Sequence, residues 1–443
     1  MFKQFDAILG KATVAVVMAA AMIGFNSCSE DNSSGVDDGG TGGGNPGAPV
    51  EALSPEDSKA YMESVAKDVM GCFDPQDQAS TITLCKYFVD TYGNLDEPEE
   101  WELDSDDNDY FSARKLMNGL FRSVVRRDAG SLTRAVNYVY DFERFSGVYE
   151  PGQYCWVRTA DSDDIVFKFR NAGGVVCVAT AKGSGGESSG TVDGYTGRLP
   201  KNVKVTLTEG TATHLDAEIL SDINEQAHTA TAKVNASSAN IVVSSDLNAT
   251  DTRVTNLSVV TVSGRTLVKV NAVLTGHDMC NRSVVEPLIR DDMRLYDLVD
   301  KGEVNVDVLG RLQFKGNLGS FGDIADHLDA YYDSYDDLSK DQAQQAIEND
   351  CKRLNADVNV GVYYSSSVEQ AKLRFQPELY EDDYFDSYSG NHYYYWDWSV
   401  LPVLYFTADG TTYDFESYFG NSRFSSVESQ WDILYNSYKN LWK

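Results

Sequence analysis

Histidine is scarce in this chain, and so is anything else that would build a metal site. Five His are spread over 443 residues, and no two stand at ligand spacing. No Cys-x-x-Cys and no Cys/His cluster occurs, which leaves no zinc module and no cofactor to read. Positive charge is in deficit: 37 Lys and Arg face 68 Asp and Glu, a net charge of −31. Such a polyanion is repelled by phosphate backbones and anionic headgroups, so nucleic acid is excluded as a partner. The acidity itself reads as solubility, with divalent cation binding as the competing reading. No stretch repeats closely enough to make a solenoid. Long apolar runs are absent except at one place, Ala12–Phe25.

That run follows Lys3 and Lys11 and carries no charge. It is too short to span a bilayer comfortably as a permanent helix and suits the core of a signal peptide. Small residues then lead to Cys28. With Ser27 and Cys28 behind such a core, the segment resembles the lipobox of bacterial lipoproteins, although Phe25 and Asn26 depart from the usual aliphatic-then-small pattern. The resemblance implies a signal at 1–27, cleavage before Cys28, and acylation of Cys28 as the new N-terminus. Ser29, Glu30 and Asp31 resemble the acidic export tag of surface lipoproteins in Bacteroidetes. The acidic, Tyr-rich, β-rich remainder resembles poorly characterised outer-membrane lipoproteins of that group in style alone. The implied location is the outer membrane, lipid-anchored and exposed at the cell surface. Acyl chains contribute about 0.8 kcal/mol per buried CH₂, so they hold the membrane without a helix in it. An ordinary cleaved secretory signal and an uncleaved anchor are the competing readings.

If Cys28 is acylated, Cys72, Cys85, Cys155, Cys177, Cys280 and Cys351 remain. An even number outside the cytoplasm permits disulfides. A chain of this size does not need them, and Cys72, Cys85 and Cys351 fall on apolar helix faces, so the favoured reading is free buried thiols.

Residues 28–50 form a Ser/Asp/Gly/Asn tether. A helical region, 51–150, follows. Ser54-Pro55-Glu56-Asp57 reads as a helix start, with Tyr61, Met62, Val65, Val69, Cys72 and Phe73 at helical spacing. Further helices are expected at Gln76–Tyr92, at about Asp109–Arg127, and from Ser131 through Val139. From Gln153 the period changes to two. Strands separated by turn residues recur through residue 275, giving an antiparallel meander over 151–317. Val203, Val205 and Leu207 share one face and Lys204, Thr206 and Thr208 the other, the pattern of a strand buried on one side. Over 318–443 a helical hairpin is expected, Ile324 to Tyr335 and then Ser339 to Leu354, the second helix opened by the capping box Ser339-x-x-Gln342. Strands at 358–362 and 371–375 and an edge strand at Val400–Phe406, demoted by Pro402, complete the sheet. Ser425-x-x-Glu428 is expected to cap a last helix. The fold class is therefore α+β: a large antiparallel sheet, flat or curved, with N-terminal helices and a helical hairpin packed on one face.

Motifs that carry chemistry are weak. Gly186-Glu187-Ser188-Ser189-Gly190 matches G-x-S-x-G, but no helical pattern follows it, so GSGGESSG reads as a hairpin loop. Asp104-Ser105-Asp106-Asp107-Asn108 begins like a calcium loop, then places Asp109 where Gly belongs and Lys115 where Glu belongs. His214 falls in phase with Asp216 and Glu218 on a polar face, His228 and His277 in turns, His327 near an apolar helix face, and His392 in the aromatic tail. The reading is non-enzymatic. The tail 380–398 is polar-aromatic without clear period. If Tyr393–Trp398 is a strand, Tyr393, Tyr395 and Asp397 share one face, fit to stack a sugar, while Tyr394, Trp396 and Trp398 share the other. The competing reading packs these rings as core. Two functions stand against each other: a surface lipoprotein that binds ligands such as glycans, and an envelope carrier or assembly factor holding an apolar ligand between its sheet and helices. The second rests on architecture alone.

Overall fold

A computed structural model of the chain describes residues 51–96, 98, 139–192, 195–224, 226–281, 283–285, 295–329, 338–365, 367–386, 391–420 and 424–442. Ser54 caps the first helix as its sequence predicts: its hydroxyl accepts the Asp57 N–H at 3.1 Å. Pro55 takes the first position of α1 (Pro55–Met70), and Tyr61, Met62, Val65 and Val69 are buried on one face. α2 (Pro75–Tyr92) is capped by Asp74 and buries Leu84. The helices expected at 109–127 and from Ser131 lie outside the described residues up to 138. Val139, expected on the latter, is in a strand instead.

From there the chain is mostly strand. β1 (Val139–Asp141), a short α3 (Phe142–Phe145), β2 (Gly147–Pro151), β3 (Trp156–Ala160), β4 (Ile165–Arg170), β5 (Val176–Val192) and β6 (Tyr195–Glu209) come first. β7 (Ala212–Asn224), β8 (Thr229–Ser238), β9 (Ile241–Thr250), β10 (Arg253–Val262) and β11 (Arg265–Gly276) continue the meander. β12 (Val299–Val308) and β13 (Leu312–Leu318) lead to α4 (Phe321–Asp329) and α5 (Lys340–Asp357). β14 (Val358–Tyr364), β15 (Glu369–Asp386), β16 (Asn391–Phe406), β17 (Thr412–Asp414), α6 (Phe415–Phe419) and α7 (Ser425–Trp442) end the chain.

All 17 described strands belong to one sheet. The ladder begins β3–β2–β4–β5 and then runs in sequence order to β17, without closing on itself. It is antiparallel except where β2 lies parallel to β4 and β1 parallel to the far end of β6. The class is α+β, with a mixed rather than purely antiparallel sheet.

Three local expectations need correction. GSGGESSG is not a loop. It lies in β5, paired along β6, with the irregularity confined to a bulge between Ser184 and Glu187 where Gly185 and Gly186 take positive φ. The tail without period is two strands: β15 and β16 pair from Ala371↔Phe406 to Asp386↔Asn391. Ser425 is the first helical residue rather than the cap, because the Phe424 carbonyl accepts the Val427 and Glu428 N–H groups. The capping box of α5, by contrast, is complete: Ser339 and Gln342 exchange both bonds.

Every helix that contributes to a described core sits on the same face of the sheet. α1, α6 and α7 cover Val306, Phe314, Val362, Ala371, Leu404 and Phe406. α5 covers Val358, Val360, Phe375 and Trp398. α2 and α3 cover Tyr149, Ile165, Phe169 and Cys177. Pairing registers put all these strand residues on one side, since directly opposed residues point the same way.

α1 and α2 also run along one rim of the sheet and bind its turns in succession. Leu53 N–H donates to Gln370 at 2.8 Å, and the Tyr61 hydroxyl meets Ser365 at 3.4 Å. Arg311 donates to Ser64 at 2.7 Å and pairs with Asp68. Asn240 donates to Asp77 at 2.6 Å, and Gln78 to the Ser238 carbonyl at 3.1 Å. Thr81 meets His214 at 3.1 Å, and Tyr92 donates to the Arg170 carbonyl at 2.8 Å. The turns themselves are tight: Ser263-Gly264 and Leu309-Gly310 both have positive φ at the two central positions, as a two-residue hairpin turn requires.

Candidate functional site

Between the two covered wings, the middle of the same face is roofed by none of the described helices; at its margins Leu207 of β6, Ile241 of β9 and Val262 of β10 pack into the described cores. In β6 to β10 the alternation places Val203, Val205 and Leu207 opposite Ile219, Ala217 and Leu215. Ile219, Ala217 and Ile223 then meet Val234, Ala236 and Ala230. β9 adds Val243, Leu247 and Ala249, and β10 adds Val254 and Val260. One row of opposed residues crosses without a break: Val203, Ile219, Val234, Ser245, Ser258, Val270, Val306, Phe314, Val362. At its far end this row is roofed by α1. In β6 to β10 it is roofed by none of the described helices, and Ile223 and Val243 are 51% and 42% exposed.

From Val203 to Leu207 and across β7 to β10 charge is sorted between the faces, with Lys201 and Glu209 bounding that stretch of β6. The reverse side of these strands bears Lys204–Asp216 at 3.3 Å, Lys233–Asp246 at 2.8 Å and Asn202–Glu218 at 2.8 Å. The Lys233 ammonium, bonded to Asp246, holds that carboxyl below its ordinary range. A shallow cleft of about 370 Å³ also opens on the reverse side, edged by Asn271, Glu303, Asn305, Lys315 and Asn317. On the aliphatic face, from Val203 through Leu207 in β6 and across β7 to β10, every inward position is apolar or an uncharged Ser or Asn. A half-buried sheet face without charge is a surface for apolar matter.

Apart from Ser221 and Ser238, the polar groups in this part of the face are gathered. Ser245 and Ser258 are directly opposed, and their hydroxyls lie 3.0 Å apart. Ser245 donates to Asn256 Oδ1 at 3.2 Å, and Asn256 Nδ2 donates to Ser258 at 3.3 Å. Those bonds use one of the two amide N–H donors of Asn256.

The residues singled out from sequence fare variously. Cys28, Ser29, Glu30 and Asp31 lie outside the described residues, as does the loop Asp104–Asp109. Tyr393, Tyr395 and Asp397 are in β16, in register with Tyr384, Asp382 and Tyr380. Their side chains are not among those described. The expected phase holds where it is visible: Trp398 is buried against α5, Trp396 packs beside it, and Tyr380, in register with Asp397, is 56% exposed. Ser188 stands within β5 with no helix after it, which removes the strained turn a nucleophile needs.

The described histidine side chains make carboxylate pairs, and those of His327 and His392 are not among them. His228 meets Asp251 at 2.6 Å and His277 meets Asp300 at 3.5 Å. His214 is not on a solvated face: a register shift beside Thr208 turns it under α2, where it is buried. There Thr81, His214 and Glu209 form a hydroxyl–imidazole–carboxylate chain with distances of 3.1 and 2.9 Å. Acyl transfer uses such a chain, but also needs free N–H donors beside the hydroxyl. Thr81 is mid-helix, where the backbone N–H groups are bonded along α2. The chain joins helix to turn. Among the described residues no group of three His, Cys, Asp or Glu is placed to hold a metal.

All six remaining cysteines are free thiols. Cys177 and Cys351 are buried, whereas Cys72 and Cys85 are only half-buried, less than their helix faces suggest. Burial, reinforced by Asp350 and Glu348, pushes the Cys351 thiol up to about 11.

The aliphatic face was half legible: the alternation of β6 predicts its apolar side, but nothing in the sequence says which strands the helices leave bare. No protein-family model, no curated protein and no solved structure matches this chain.

Proposed function

We propose that the protein is a non-enzymatic binding protein, lipid-anchored through Cys28 at the outer membrane, that takes an apolar ligand on the aliphatic face of β6 to β10. The carrying observation is an uncharged stretch of the sheet face that the described helices leave unroofed, between two stretches that they cover. Of the two functions the sequence leaves standing, this reading keeps the apolar ligand of the carrier but not its place between sheet and helices; the glycan platform rests on side chains outside those described. Among the described residues the face is open, so the ligand is held as on a tray rather than in a sealed cavity. About 25 cal/mol is gained per Å² of apolar surface removed from water, so even a few hundred Å² of contact gives useful affinity.

The test is fluorescence of N-phenyl-1-naphthylamine on the mature chain. Wild type should bind the probe. Val243→Lys, at an exposed position on the face, should lose at least tenfold in affinity while its folding stability moves by about 0.5 kcal/mol or less. Lys233→Ala, on the reverse side, should bind as wild type does. Equal binding by all three proteins would overturn the proposal.

A further inference from the structure

An aliphatic sheet face has no need of polar groups at its centre, yet this one gathers Ser245, Ser258 and Asn256 in a single hydrogen-bonded knot. Aliphatic residues surround it: Val234 and Val270 flank the serine pair along its row, and Val243, Leu247, Val254 and Val260 are the same-face neighbours along β9 and β10. The knot lies at the border of the bare stretch. One strand further on, Val268 and Val270 pack against the core under α1. Ligand sites of mainly apolar character orient their ligand by just such a small number of polar groups.

We propose that this knot is the polar recognition point of the aliphatic face, and that the ligand is an uncharged single-chain amphiphile. Its ester, amide or hydroxyl group bonds to Ser245, Ser258 and Asn256, and its aliphatic chain runs from β10 toward β6. The inference rests on the reading of this face as a binding surface. Direction follows from the roof: α1 blocks the β11 side, while none of the described helices roofs the row Ser245, Val234, Ile219, Val203 across β9 to β6. Length follows from strand spacing. Four intervals of about 4.8 Å give a track of about 19 Å, the reach of a long acyl chain. Neutrality follows from charge sorting. Lys204, Lys233, Asp216 and Asp246 all lie on the reverse side, so a carboxylate or ammonium brought to the knot would lose water without meeting a counter-charge. The net charge of −31 disfavours an anion further. A neutral carbonyl or hydroxyl meets the hydroxyl and amide donors that the knot offers.

The experiment is displacement of bound N-phenyl-1-naphthylamine from the mature chain by monooleoylglycerol, by oleate and by oleylamine, at a pH where the last two are charged. The uncharged lipid should displace the probe at concentrations about tenfold lower than either charged one. The triple variant Ser245→Ala, Ser258→Ala, Asn256→Leu should still bind the probe but lose that preference. Ser258→Ala alone, which removes one hydroxyl and adds no bulk, should lose part of it, and serves if the triple variant does not fold. Equal displacement by all three lipids on wild type, or a preference that survives in the variants, overturns this inference and leaves the apolar face standing as a binding surface. Failure of the naphthylamine probe to bind wild type overturns both.

Discussion

Cys351 illustrates how much a single side chain owes to what surrounds it. It lies on α5 between Ile347 and Leu354 and under Trp398, with Asp350 and Glu348 near by. Burial and those carboxylates raise its thiol from the ordinary 9.0 to about 11. The neutral thiol is thus favoured in the folded state. Its contribution to stability is complete below pH 9, where the unfolded thiol is also neutral, and is lost as pH rises from about 9 to about 11. Urea unfolding at about pH 8 and about pH 10.5 should show wild type losing more stability than Cys351→Ala over that interval. Identical pH dependence would mean the thiol is not held neutral. The helical position of Cys351 was readable from its spacing to Ala343, Ile347 and Leu354. The register that sets Ser245 against Ser258 was not, because it depends on where each hairpin turns and how far each strand runs.

At the level of elements, the β15–β16 hairpin is the clearest gap between sequence and fold. Period two is hidden there because Tyr stands on both faces. Its ring is apolar enough for a core and its hydroxyl polar enough for water, so alternation of Tyr with Trp carries little signal. Pro377 and Pro402 further disguise the strands. What holds the hairpin is α5. β15 leaves β14 beyond Lys372, and the Asn355 side chain takes the place of a strand, donating to the Phe375 carbonyl at 2.7 Å and accepting its N–H at 2.9 Å. Trp398 anchors the same contact. Trp398→Ala should therefore cost about 3–5 kcal/mol, and Tyr380→Ala, on the exposed face, about 0.5 kcal/mol or less, both read from urea midpoints. The reverse order would mean that the hairpin presents its faces the other way round. GSGGESSG misleads for the opposite reason: its glycines signal a loop, but the backbone pairing of β5 along β6 is indifferent to side chains, and a bulge absorbs the two positive-φ positions at a cost of about 1 kcal/mol per glycine.

For the whole molecule, the α+β class and the siting of helices on one face were legible, because one-sided strands and amphipathic helices require each other. That the described strands do not close into a barrel, and that the described helices leave the middle of the sheet unroofed, depends on contacts between residues hundreds of positions apart. The proposed anchor is tested at this scale. Cys28→Ala should leave the protein unlipidated and absent from the outer-membrane fraction, with no incorporation of labelled fatty acid. Retention in that fraction together with labelling would place the acyl group elsewhere.

The rim helices have a mechanical consequence. A pull on the chain ahead of Leu53 does not reach β6 first. It enters where Leu53 is bonded to the fully buried Gln370 and where the Tyr418 hydroxyl holds the Pro55 carbonyl at 2.9 Å, so the load passes into β15 and the C-terminal helices. From there it must break the turn contacts along α1 one after another, as a zip opens, before α2 transmits any force to the turns of β6 to β10. Under the proposed anchor at Cys28, drag would be borne by the last strands of the chain, with the aliphatic face slack behind them.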